Sequence, residues 1–265
     1  MERRAMFDDI RELITAVVRE ADAGGAFWKS PLVAVVSAEN GRFVGLKRSV
    51  GERHLLPADV LPGAKGIVVY FVPFADRIAA SNIPGRSASA EWAEAYLRTN
   101  KLIADISDAA ERLMGEYGYR TGKIPATHNF DERSLISDWS HRHVAEIAGL
   151  GSFGLNNMLI TDGGCCGRLG SIVTDCEFPA AGGFVFRERC LNKLNGSCGI
   201  CRIKCVADAY RPDGFNRHEC YSICLENAEL HKSLGFADVC GKCLVGLPCS
   251  LADPSARESR AEKRR

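Results

Sequence analysis

The residues best able to do chemistry in this 265-residue chain are its cysteines. There are 12, none before Cys165, and nine of them lie between Cys190 and Cys249. They run Cys190-x7-Cys198-x2-Cys201-x3-Cys205, then Cys220, then Cys240-x2-Cys243-x5-Cys249. Two-cluster bacterial ferredoxins use short runs of this kind, in which the fourth cysteine of a run ligates the other cluster. The reason is geometric: a C-x2-C loop wraps the corners of one cube, and the next cysteine points away toward the second. Applied here, the rule predicts two four-iron four-sulfur (4Fe-4S) clusters. Cys190, Cys198, Cys201 and Cys249 would hold the first, and Cys205, Cys220, Cys240 and Cys243 the second. The first gap is wide, and Val206 and Ser250 stand where a proline often follows the fourth cysteine. Zinc is the competing reading, with Cys198, Cys201, Cys240 and Cys243 as one four-cysteine site. That would leave Cys190, Cys205, Cys220 and Cys249 unexplained. Cys224, four residues after Cys220, competes with it for one ligand position.

Asp138, His141 and His143 are candidates for proton chemistry. Histidine titrates near neutral pH, and an enclosed aspartate is raised toward it. Asp138 is the candidate proton donor and His141 a weaker one. In the alternative reading Asp138 caps a helix and pairs with Arg142 at i, i+4. Gly149-Leu-Gly151-Ser-Phe-Gly154 matches the dinucleotide fingerprint G-x-G-x-x-G. The fingerprint requires a strand before it and a helix after it. Here the order is reversed, which argues against nicotinamide binding. A second glycine-rich turn spans 163–170 and contains Cys165 and Cys166, expected to be buried small residues.

These groups need a scaffold. Apolar spacing predicts helices over 6–22, 90–117 and 138–148. Continuous apolar runs at 32–36 and 67–72 suit strands covered on both faces, with further strands at 158–161 and 171–174. The expected fold class is α+β. Residues 1–182 would form an α/β cofactor-binding domain. Residues 183–250 would form a two-cluster ferredoxin-like domain, with a hinge at Gly182-Gly183, and 251–265 a polar, solvated tail. The start carries no secretory signal and no apolar run is long enough for a membrane span, so the expected location is cytoplasmic. A net charge of +1 provides no footprint for nucleic acid or membrane.

The order of three features resembles the epoxyqueuosine reductase family, cobalamin-dependent iron–sulfur enzymes related to reductive dehalogenases. The features are 148–154 with Asn156-Asn157, the segment Gly170-Ser-Ile-Val-Thr-Asp175, and the cysteine run ending at Cys249. They cover roughly 140–250. The resemblance implies a probable cobalamin cofactor held by Gly149, Gly151, Gly154, Asn156, Asn157, Gly167, Gly170 and Ser171. It implies clusters that feed the cofactor electrons one at a time, from an external donor of flavodoxin or ferredoxin type. The substrate would be a small molecule or modified nucleoside, with transfer RNA unsupported by charge. The family's general-acid aspartate falls on Leu135 when aligned without gaps, and Asp138 is displaced from it by three residues. The chain also corresponds to a short form without the C-terminal helical repeats of longer members. The alternative from another class is a non-catalytic electron-transfer protein that reduces a partner such as a corrinoid protein.

Overall fold

The computed structural model describes residues 2–126, 130–178 and 186–256, with side chains from residue 5 onward. The expected hinge at 182–183 lies outside the described residues. In chain order the first elements are α1 (Glu2–Ala21), β1 (Leu32–Ser37), α2 (Arg42–Ser49), α3 (Pro57–Val60), β2 (Gly66–Pro73), α4 (Asp76–Ser81) and α5 (Ala90–Glu116). Short pieces follow: β3 (Thr121–Lys123), β4 (Phe130–Asp131), β5 (Ile136–Ser137), α6 (His141–Ile147), β6 (Gly151–Phe153) and β7 (Leu159–Thr161). β8 (Gly167–Thr174) completes the main sheet. The cysteine-rich part contains α7 (Leu191–Asn195), α8 (Ile200–Ile203), β9 (Tyr210–Arg211), β10 (Gly214–Phe215) and α9 (Arg217–Leu230).

The main sheet has the order β1-β2-β8-β3, and every pairing is antiparallel. β2 is buried along its whole length, which explains its unbroken apolar run. Its side chains alternate between two cores. Val68, Tyr70 and Val72 face the layer of α1 and α5, while Ile67 and Val69 face that of α2 and α6. Helices thus cover both faces of an antiparallel sheet, so a continuous apolar strand here does not mark a parallel one. Helix α5 starts at Ser89, whose side chain accepts from the Trp92 amide at 3.1 Å. Such a cap contributes about 1 kcal/mol.

The core around α1 and α5 also takes in Cys190, Leu244 and Val245, so the cysteine-rich part packs into it. Polar contacts fasten the same seam. Asn82 donates to the Cys240 carbonyl at 2.9 Å, and the Lys242 ammonium donates to the carbonyls of Asn82 and Pro84, each at 2.7 Å. The amides of Cys165 and Cys166 donate to the carbonyls of Cys249 and Ser250.

Three expectations are corrected here. Helix α6 begins at His141, not at 138, with Ser140 as its N-cap residue. The second glycine-rich turn ends earlier than expected, because Gly167 and Gly170 lie within β8. A Cβ at Gly167 would sit 2.4 Å from the Val72 carbonyl oxygen, and one at Gly170 2.4 Å from the Tyr70 ring. Close strand packing explains both glycines. Finally, 253–255 are buried where a solvated tail is expected, because Asp253 is held in an ion-pair network. Residues 257–265 lie outside the described residues. Among those described, no helix is long and apolar enough to cross a membrane.

Candidate functional site

Cys190 is the N-cap residue of α7, Cys201 lies on α8, and Cys249 lies in a turn near the end of the described residues. Together with Cys198 they line one small cavity, closed on its other side by Leu155 and Ile160. Burial pushes the Cys201 thiol up to about 11, reinforced by the charges of Cys249, Cys190 and Cys198. The Leu155 amide points at the Cys190 sulfur at 3.4 Å. Helix α8 ends at Ile203, so Cys205 leaves the helical path and turns to a second group of thiols.

That second group contains Cys205, Cys220, Cys240 and Cys243. Burial pushes the Cys243 thiol up to about 12, with the charges of Cys220, Cys240 and Cys205 acting in the same direction. Cys240 responds in the same way to burial and to Cys220 and Cys205. The Ala209 amide donates to the Cys205 sulfur at 3.4 Å. Gly241 makes the Cys240–Cys243 loop possible. Its φ is +72°, and a Cβ there would lie 2.4 Å from the Trp92 ring. Cys224 sits beside Cys220 on α9. Its hydrogen bond to Cys220 lowers the Cys220 thiol, Arg142 helping, to about 7. The same bond raises Cys224 itself. Of the two, Cys220 is the better thiolate. Among the described residues, no three such side chains converge as the ligands of a single ion do. The thiols instead stand in two open groups.

The second group forms one wall of a larger cavity of about 680 Å³. That is within the usual range for a site that encloses a small molecule or a cofactor. The opposite wall is the β6–β7 hairpin with the start of α6, and it presents Arg142, His143, Phe153, Gly154, Asn157 and Met158. The lining includes Arg142, Lys193, Arg217 and Lys242 and, among the described residues, no carboxylate. Arg142 is fixed by donating to the Asn157 carbonyl at 2.6 Å. It is open to solvent through the cavity yet surrounded by protein, and this desolvation lowers its affinity for its proton. His143 packs against Phe153 and shares a 2.8 Å hydrogen bond with Ser140. Burial, with Arg142 close by, lowers it to about 4, so it is a neutral imidazole at neutral pH.

Of the glycine-loop residues singled out in the sequence, Gly154, Asn156 and Asn157 line this cavity. Asn156 is buried and donates to the Cys243 carbonyl at 3.2 Å, which ties the hairpin to the second thiol group. Gly149, Gly151, Gly167, Gly170 and Ser171 are not on its lining. Ser171 is a buried hub instead. It accepts from the Trp139 indole at 3.0 Å and pairs with His141 Nδ1 at 2.8 Å. His141 is buried beneath α6, where desolvation lowers it to about 4. Asp138 lines a different, shallower cavity beside Arg53, 3.7 Å away. Because α6 begins after it and Arg142 turns toward Asn157, the expected Asp138–Arg142 pair does not form. Leu135 does face the large cavity, with a φ of 53° at the β4–β5 turn. Cys165, Cys166 and Cys176 are buried packing residues.

Tyr210 was not anticipated from the sequence. It opens the β9–β10 hairpin between Cys205 and Cys220, lines the large cavity, and its buried hydroxyl reaches no partner in good hydrogen-bond geometry among the described residues, Cys243 being the thiol it approaches. Its only sequence signal is that it is one of two aromatic residues between Cys205 and Cys220.

No protein-family profile and no curated protein matches this chain. Solved structures do. An epoxyqueuosine reductase superposes on 91% of the chain with a TM-score of 0.53 at 17% identity. The fold is that of the epoxyqueuosine reductases. The enzyme of this kind from Bacillus subtilis, with its catalytic aspartate loop swung out of the active site, gives 0.54 at 19% identity. In both cases the chain spans 66% of the solved protein. A catabolic reductive dehalogenase gives 0.55 at 16% identity over 87% of this chain and 31% of its own.

Proposed function

We propose that this chain is an iron–sulfur oxidoreductase. Cys190, Cys198, Cys201 and Cys249 would hold one 4Fe-4S cluster, and Cys205, Cys220, Cys240 and Cys243 a second. A cobalamin would be held in the cavity beside the second. The observation that supports this reading is that four of these cysteines line one small cavity, while the other four, together with Cys224, line the large one. The donor chemistry fits. Buried or half-buried thiols without a disulfide are ready ligands, and an amide donor faces a sulfur in each group. A single zinc site would use only half of them. The cavity fits a broad, flat cofactor. Phe153 and Met158 offer apolar surface to it.

When bound, the clusters supply single electrons and the cobalamin a reducible metal centre. The chain's own residues do the rest. Arg142, anchored on Asn157, presents positive charge to an anionic group of whatever occupies the cavity. His143, neutral at working pH, offers or accepts a hydrogen bond and does not act as an acid. Phe153 and Met158 exclude water from the reacting region. The position that would carry the family's acid is Leu135, so the proton donor of the epoxide chemistry is missing there. This favours reduction of a different substrate, with electrons from a flavodoxin- or ferredoxin-type donor. A pure electron carrier has no need for so large a cavity.

Anaerobic reconstitution with iron, sulfide and cobalamin tests the reading. The expected result is stoichiometric cobalamin binding, with a spectral change when the clusters are reduced. Loaded clusters with no cobalamin binding would instead identify a carrier.

A further inference from the structure

The Tyr210 hydroxyl is one of a handful of buried side-chain polar atoms that find no hydrogen-bond partner among the described residues. Burying a poorly paired hydroxyl is unfavourable, so such a group in a folded protein calls for a better partner than the Cys243 thiol alone. The ring is well fixed, packing on Phe215 with centroids 5.0 Å apart. The hydroxyl is directed at the Cys243 thiol without reaching good hydrogen-bond geometry. Burial raises its pKa, and that contact and the charges of Cys243, Cys201 and Cys205 act in the same direction. Cys243 and Cys205 belong to the second thiol group and Cys201 to the first, so the phenol stands at the boundary between them.

We propose that Tyr210 donates a hydrogen bond to a sulfur of the cluster held by Cys205, Cys220, Cys240 and Cys243, and thereby raises its reduction potential. The proposal rests on the iron–sulfur reading above. Reduction adds negative charge that spreads over the sulfurs, so a donor binds the reduced state more strongly and stabilises it. Each thiol group already has amide donors, among them Leu155 at Cys190 and Ala209 at Cys205, both at 3.4 Å. Tyr210 adds a donor on the side of the cluster that borders the cavity. Electrons entering the protein would then collect on the cluster next to the site of use. Tyr210 acts here as a tuning residue and does not touch the substrate.

The test compares the full chain, reconstituted anaerobically, with its Tyr210→Phe variant. Phenylalanine keeps the packing on Phe215 and removes only the donor. Iron and sulfide content should match. One of the two midpoint potentials should fall by about tenfold in the reduction equilibrium, about 59 mV for one electron. In heavy water, the reduced wild-type protein should show an exchangeable deuteron coupled to a cluster by electron–nuclear double resonance, and the variant should lack it. Unchanged potentials with both clusters present would overturn the proposal. So would the absence of that deuteron from the wild-type protein, a result that needs no variant to fold. A wild-type chain that takes up no iron would overturn the iron–sulfur reading itself, and this proposal with it.

Discussion

Removing the Asp253 carboxylate should loosen the first thiol group while leaving the second in place. Arg189, directly before Cys190, donates to Asp253 at 2.9 Å, and their side chains are 10% and 5% exposed. Arg187 reaches the same carboxylate at 3.0 Å. The Arg189 amide is held by Ser152 on the hairpin, so this network fastens the approach to Cys190 to the segment after Cys249. Breaking a buried ion pair by deleting one partner costs about 3–5 kcal/mol. Arg189 keeps a contact with Asp162, which is 73% exposed and therefore a weak substitute. That contact places Asp253→Ala near the lower end, about 3 kcal/mol. By contrast, Glu229→Ala breaks a fully exposed pair with Lys232 and should cost under about 1 kcal/mol. Urea unfolding of the reconstituted protein measures the loss, and cluster-specific electron paramagnetic resonance shows which cluster departs. A loss below about 1 kcal/mol, or equal loss of both clusters, would refute the reasoning.

Other outcomes follow from the same geometry. Cys205→Ala or Cys243→Ala should each remove about half the iron, checked by iron assay against the wild type. His141 should make the fold acid-sensitive. Its folded pKa is lowered from 6.5 to about 4, so its contribution is present above about 6.5 and lost as pH falls toward 4. At about 1.36 kcal/mol per unit, the loss approaches 3 kcal/mol, and His141→Gln should flatten the pH dependence of the urea midpoint. Asn156→Ala should weaken cobalamin uptake and cost about 1–3 kcal/mol, since it frees the hairpin from Cys243 and leaves polar groups unpaired. Titration calorimetry and thermal melts check the two parts.

How much of this was readable in the sequence depended on how local the cause was. Helices α1 and α5 follow from apolar periodicity, and the structure gives them nearly the expected limits. Short loops between cysteines restrict where each sulfur can go, and the proposed pairing of the thiols follows from that restriction. The failures are tertiary. Gly167 and Gly170 look like turn residues until Phe71 and Tyr70 are seen pressing on them from the neighbouring strand. Asp138 reads as a helix start, yet His54 accepts from the Ser140 amide and the helix begins afterward, turning Asp138 toward Arg53. The antiparallel order of the sheet depends on β8 arriving late in the chain to pair with β2, which no local pattern encodes. Tyr210 was missed because an orphaned hydroxyl is a property of packing.

The central claim is that the cysteines bind two cubane clusters and not zinc. Iron, acid-labile sulfide and zinc measured together on anaerobically purified and reconstituted chain test it most directly. The account predicts about eight iron and eight sulfide per chain, from two clusters of four, and no stoichiometric zinc. One tightly bound zinc, with no sulfide retained after anaerobic reconstitution, would contradict it.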